Sequence, residues 1–154
     1  MLQRIQTIFL ILVLACAGML FTPPMDFIAL GQEVDVTGFA ADSALVDKEY
    51  NIFDHILLII ITVSIAVVAL LAVFQFRNRQ LQAKLSRGTM ALSFVLLVLA
   101  GILFYLEYDA IAPGSEIEVE FGIVPPILAI IFAALATRNI RKDEKLVRSA
   151  DRLR

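Results

Sequence analysis

The sequence predicts an all-α membrane protein of four transmembrane helices with both termini in the cytoplasm. Three observations predict it. First, 60% of the 154 residues are hydrophobic and mean hydropathy is +0.85, too apolar for an ordinary soluble domain. Second, four long apolar runs alternate with five polar stretches. Third, twelve of the thirteen Lys and Arg residues fall in the two ends and the middle stretch, whereas twelve of the fifteen acids fall in the two stretches between. Short loops rich in Lys and Arg stay cytoplasmic, so every stretch assigns the same orientation. One domain is expected over residues 1–154, with no room for a separate soluble core.

The first span covers about residues 5–21 and ends at Thr22-Pro23-Pro24, since proline cannot continue a helix. Its length gives about 26 Å, at the low end for crossing a hydrocarbon core. A competing reading makes residues 1–16 a signal peptide, with Val13-Leu14-Ala15-Cys16 loosely like a bacterial lipobox. Two features weigh against it: a single Arg precedes the apolar run, and the run continues past Cys16. A packed helix cysteine is the simpler reading.

The polar stretch 22–54 contains residues 32–38 (QEVDVTG), which alternate apolar and polar, as do residues 115–121 (SEIEVEF). Period-two alternation marks half-buried strands. The two segments are expected to pair as a small extracytoplasmic sheet, turning Val34, Val36, Ile117 and Val119 towards the helices. Glu33, Asp35, Glu116, Glu118 and Glu120 then crowd one exposed face. Several carboxylates suit Ca²⁺, but their spacing matches no calcium loop, which favours a solvated face. Asp54 is well placed to cap the second span, and a cap beside an interfacial ring outweighs a metal or proton role for His55.

The second span covers about residues 55–76, the third 88–105 and the fourth 122–136, with Pro125-Pro126 in the fourth span's first turn, where a missing amide costs little. Tyr50, Tyr105 and Tyr108 sit near span ends, the depth that amphipathic rings favour. No Asp, Glu, Lys, Arg or His interrupts residues 5–21, 56–76, 89–105 or 123–136. That argues against proton relays and charged cargo, which need ionisable groups facing the interior. Thr62, Ser64, Gln75, Thr89 and Ser93 are expected to form interhelical hydrogen bonds worth roughly 0.6–2 kcal/mol each. Ala129, Ala133 and Thr137 recur every four residues, and Ala66, Ala69 and Ala72 every three, supplying close-packing faces. The lone Cys16 excludes an intramolecular disulfide, and the lone His55 excludes bis-histidine haem within one chain.

The tail, residues 137–154, has no Pro or Gly and extends the fourth span as a helix into the cytoplasm. Ile140, Leu146, Val147, Ala150 and Leu153 lie broadly on one side of it. Arg141, Lys142, Lys145, Arg148 and Arg152 are the expected contacts with anionic lipid headgroups or with a cytoplasmic protein.

The start, Met1-Leu2-Gln3-Arg4-Ile5-Gln6-Thr7, and residues 140–154 (IRKDEKLVRSADRLR) resemble the two ends of a family of small Bacteroidota membrane proteins, domain of unknown function 4293. Leu2 stands where the family pattern suggests Ile. The resemblance extends over the whole chain in length and span layout. It implies a bacterial inner-membrane protein and no activity.

The functional expectation is a small membrane accessory or scaffold protein working through its basic tail. The alternative is a channel or carrier for a small neutral solute. One His, one Cys and no clustered intramembrane acid leave few tools for an enzyme. No catalytic residue, metal, cofactor or nucleic-acid partner is expected, and oligomeric state stays open.

Overall fold

The computed structural model describes residues 2–31, 43, 45–76, 78–111 and 115–151, without the side chains of residues 2–4, 110, 111, 145 and 147–151. Among the described residues the chain forms four α-helices: α1 (Leu2–Met19), α2 (Ile56–Phe74), α3 (Arg79–Ile111) and α4 (Val124–Asp151). Three helical segments are long and apolar enough to cross a membrane: Ile56–Phe74, Arg79–Asp109 and Phe121–Glu144. In α1 the apolar stretch, Ile5–Met19, is shorter. Packing runs in chain order and closes on itself: α1 lies against α2 and α4, and α3 against α2 and α4.

Two helices exceed their predicted spans. α3 begins at Arg79 rather than near Gly88, so the basic segment between the second and third apolar runs is mostly helix. Its Gln, Leu, Ala and Lys residues are good helix formers with no breaker among them. α4 runs unbroken from Val124 through Asp151, so the tail does continue the fourth apolar run. Pro125 and Pro126 sit in its first turn, where amides have no partner within the helix.

Small residues make the close contacts. Ala129, Ala133, Ala136 and Thr137 are buried along α4, and Ala69 and Ala72 along α2. The predicted polar contacts are placed differently. Thr62, Ser64, Thr89 and Ser93 donate to Leu58, Ile60, Leu85 and Thr89 carbonyls one turn back in their own helices. A mid-span hydroxyl satisfies itself locally when no partner lies opposite. The interhelical bonds form instead near the charged end of the helices. Ser86 Oγ donates to the Ala133 carbonyl at 2.9 Å, Thr137 Oγ1 to Ser86 Oγ at 3.0 Å, and Gln82 Nε2 to the Ala72 carbonyl at 3.1 Å. Gln6 Nε2 donates to the buried carboxylate of Asp143.

At the opposite end lies a three-stranded antiparallel sheet of order β2-β1-β3, with β1 Ile28–Leu30, β2 Glu49–Tyr50 and β3 Ile117–Val119. The two acidic segments therefore pair, with Ile28 opposite Val119 and Leu30 opposite Ile117. The partner of β3 is β1, upstream of the alternating residues 32–38, which lie outside the described residues together with Glu33, Val34, Asp35 and Val36. Ile117 and Val119 stand on the same face of the sheet as their partners Leu30 and Ile28, but at the sheet's edge they stay 44% and 67% exposed. Inward contacts come from Phe27, Leu30, Leu45, Tyr50 and Ile52, which share one core cluster with Leu58, Leu96 and Phe104. The sheet is thus packed on the helices as part of one core.

A 3-10 turn, Phe121–Ile123, leads from β3 into α4. Its Gly122 amide donates to the Asp26 carbonyl at 2.8 Å, and the Glu120 amide to the Phe27 carbonyl at 3.1 Å. A Cβ on Gly122 would fall 2.4 Å from the Met25 carbonyl oxygen and 2.5 Å from that of Asp26. Only glycine fits this approach.

The outward surface of the helices is apolar. Ile60, Val63, Val67, Leu71, Phe94, Val98, Ile102 and Ile131 are all exposed. A void between Cys16, Ile65, Ser93, Leu96 and Pro126 measures about 10 Å³, no larger than the space one water needs. Cys16 itself is 5% exposed within α1, as a packed helix cysteine should be.

Candidate functional site

The strongest candidate lies at the charged end of the helices, between α3 and α4. Arg87 and Met90 are three residues apart on α3, and Ala134, Thr137, Arg138, Arg141 and Lys142 recur every three or four residues on α4. Such spacings place each set on one helix face. The two faces line a cavity of about 810 Å³, with Glu144 also on its wall. The Ser86–Thr137 hydroxyl contact lies beside it and pins α3 to α4. Arg87 Nε donates to the Ala83 carbonyl at 3.3 Å, and Gln80 Nε2 to Glu144 Oε1 at 3.1 Å.

The cavity is layered. Met90 sits one turn deeper along α3 than Arg87, and Ala134 one turn deeper along α4 than Arg138. Among the described residues four cations and one acid line the cavity, with the apolar Met90 and Ala134 nearer the middle of the helices. Cations in a site open on one side and apolar on the other will hold an amphiphilic anion better than a fully hydrated one.

Of the five predicted contacts, Arg141 and Lys142 line this cavity. Lys145 and Arg148 lie on α4 with side chains not described, and Arg152 lies outside the described residues. Of the apolar residues grouped on one side of the tail, Ile140 is fully buried and Leu146 is exposed. Arg87 and Arg138 join the cluster without having been singled out. Arg138 was legible as the residue one turn before Arg141 and Lys142. Arg87 was not, because nothing local states which base of the middle stretch faces α4.

A second polar group sits under the sheet. Tyr50 is fully buried among Phe27, His55 and Phe104, with ring centroids 5.4–6.4 Å away. Its hydroxyl has no hydrogen-bond partner among the described residues. Burial pushes its pKa up, and the nearby Asp54 and Glu107 carboxylates push it further. His55 Nε2 lies 3.2 Å from Glu107 Oε1, joining the start of α2 to α3, though off the line of a hydrogen bond.

Asp54 does not cap α2 through its side chain. The capping position is held by His55, without a side-chain bond, and Asp54 Oδ2 accepts the Asn51 amide at 2.5 Å within the preceding turn. Burial raises the Asp54 carboxyl to about 6; the Asn51 amide opposes the rise, and the Asp47, Glu107 and Asp26 charges add to it. Among the described residues no three His, Cys, Asp or Glu side chains are grouped to hold a metal ion.

No curated protein and no solved structure matches the chain. A family model does match, over residues 2–153 and so across every element described above. The chain belongs to the family described as Domain of unknown function (DUF4293).

Proposed function

We propose that this protein is a small integral membrane accessory or scaffold protein of the bacterial inner membrane. In this reading it forms a four-helix bundle with both termini cytoplasmic, and its basic end engages anionic lipid headgroups or a cytoplasmic partner. The observation that carries the proposal is the cationic cavity between α3 and α4, built where the tail leaves the apolar part of α4. The exposed apolar surface of the helices supports residence in lipid, since an apolar face of that extent is not tolerated in water. Charge segregation supports the orientation.

The test is affinity purification in mild detergent of the full chain and of a variant carrying Arg138→Gln, Arg141→Gln and Lys142→Gln, which neutralises the cavity's α4 wall and leaves the Gln6–Asp143 contact in place. The proposal expects co-purifying proteins or anionic lipids to fall away in the variant. An unchanged set would remove the basic end from the mechanism. Extraction of the protein by carbonate, without detergent, would remove the membrane reading altogether.

A further inference from the structure

We propose that the cavity between α3 and α4 seats one molecule of an anionic phospholipid carrying two phosphate groups. The inference rests on the membrane reading above and adds the ligand and its pose.

Three observations carry it. The first is charge. Among the described residues Arg87, Arg138, Arg141 and Lys142 line the cavity against Glu144, four positive charges against one negative. One phosphodiester leaves two of the three surplus charges uncompensated; two leave one. Arginine also presents paired donors that match phosphate oxygens two at a time.

The second is layering. Met90 and Ala134 stand one turn deeper than Arg87 and Arg138 on their respective helices, and both belong to the same cavity wall. A phospholipid has this order of chemistry, phosphates outside and acyl chain within. Free phosphate, or a polar peptide, would leave the apolar layer without a partner. The cavity volume, about 810 Å³, lies in the range of about 300–1,000 Å³ typical of small-molecule sites, enough for a headgroup and the first part of its chains.

The third is rigidity. The walls are joined at the level of Arg87 and Arg138 by Ser86 and Thr137 at 3.0 Å, and α4 is fastened to α1 by Gln6 and Asp143. Glu144 is held by Gln80 on α3. The four cations are therefore presented by two helices that are already locked together, and little ordering is lost on binding. Basic pockets between helices at the cytoplasmic membrane surface are a recognised lipid-headgroup chemistry.

The experiment places the full chain in nanodiscs of zwitterionic phosphatidylcholine doped with either a two-phosphate lipid (diphosphatidylglycerol) or a one-phosphate lipid (phosphatidylglycerol). Lipid retained on the protein is read by native mass spectrometry after release. At least tenfold preferential retention of the two-phosphate lipid is expected, with one copy per chain. Arg87→Gln combined with Arg138→Gln should reduce it at least tenfold. Arg79→Gln combined with Lys84→Gln, which removes as much charge from α3 away from the cavity, should leave it within twofold. Millimolar inorganic phosphate should not compete.

Equal retention of the two lipids would overturn the two-phosphate assignment. Equal loss in both double variants would overturn the site in favour of diffuse surface charge. Competition by inorganic phosphate would overturn the lipid. Protection of Cys16 from a thiol reagent confirms that each variant is folded. A detergent-dependent, membrane-resident protein that retains no lipid sinks this inference alone, whereas a carbonate-extractable one sinks the membrane reading.

Discussion

Gly122→Ala tests the junction between the sheet and α4. The added methyl carbon would lie 2.4 Å from the Met25 carbonyl oxygen, 2.5 Å from the Asp26 oxygen and 2.6 Å from the Asp26 carbonyl carbon. Ordinary carbon–oxygen contacts begin near 3.3 Å, so the two backbones must part by about 0.9 Å. All three obstacles are backbone atoms, so no rotamer change relieves the clash. Parting breaks the 2.8 Å bond from the Gly122 amide to Asp26 and strains that from Glu120 to Phe27. Losing one such bond costs about 1 kcal/mol net, and overpacking adds about 1–3 kcal/mol. The expected destabilisation is about 2–4 kcal/mol. The assay is thermal unfolding in detergent, followed by reaction of a thiol-reactive dye with Cys16, the single cysteine, which the fold buries. The internal control is Gly101→Ala in α3, where a Cβ meets nothing within 4 Å and stability should hold or rise by up to about 1 kcal/mol. A Gly122→Ala melting curve matching the wild type would refute the reasoning, because it would mean that the turn does not approach residues 25 and 26 this closely.

Tyr50→Phe should leave stability unchanged or slightly higher in the same thermal assay, since it removes a buried hydroxyl without a partner; Tyr50→Ala should lose about 3–5 kcal/mol, as for other large aromatic truncations. Gln6→Leu should cost about 1–3 kcal/mol by stripping the donor from buried Asp143, and the double variant with Asp143→Leu should recover much of it; additive losses in that cycle would contradict the contact. The Asp54 carboxyl, raised to about 6, binds its proton more tightly folded than unfolded. Its stabilising contribution is therefore fully present below about pH 4 and is lost as pH rises through 6, with a slope of at most about 1.4 kcal/mol per pH unit. Melts at pH 4, 5, 6 and 7 should show this slope in the wild type and a shallower one in Asp54→Asn; parallel curves would refute it.

Local chemistry made the helices legible. Long unbroken apolar runs, the Pro23-Pro24 stop and the breaker-free tail each act through neighbours in sequence. The alanine spacings were legible for the same reason: residues three or four apart share a face whatever they face. What was not legible depends on a second element. Ser86 and Thr137 are both short polar residues near span ends, and only the approach of α3 to α4 makes them partners. Asp143 reads as one more tail charge until Gln6 is brought against it from the other end of the chain. Alternation in residues 115–121 correctly marked a strand, yet how far Ile117 and Val119 are covered depends on the sheet's edge, a property of which strand lies beyond it. The basic cavity divides in the same way: Arg138, Arg141 and Lys142 share a helix, and Arg87 arrives from another.

The long α3 helix has a geometric consequence. Arg87 and Glu107 both stand on it, and residues 88–106 between them carry no charge. At 1.5 Å per residue that interval measures about 28 Å. On the neighbouring element, residues 121–137 between Glu120 and Arg138 give about 26 Å by the same measure. Two adjoining helices thus carry nearly the same uncharged length, a few ångströms under the hydrocarbon depth of an average bilayer, about 30 Å. A helix cannot stretch. A thicker bilayer must therefore thin around the protein or draw Arg87 and Arg138 below its surface, and each response costs free energy. In the membrane reading proposed above the molecule is a fixed gauge, and a membrane matched to it would bring the acidic sheet and the basic cavity to opposite surfaces at once.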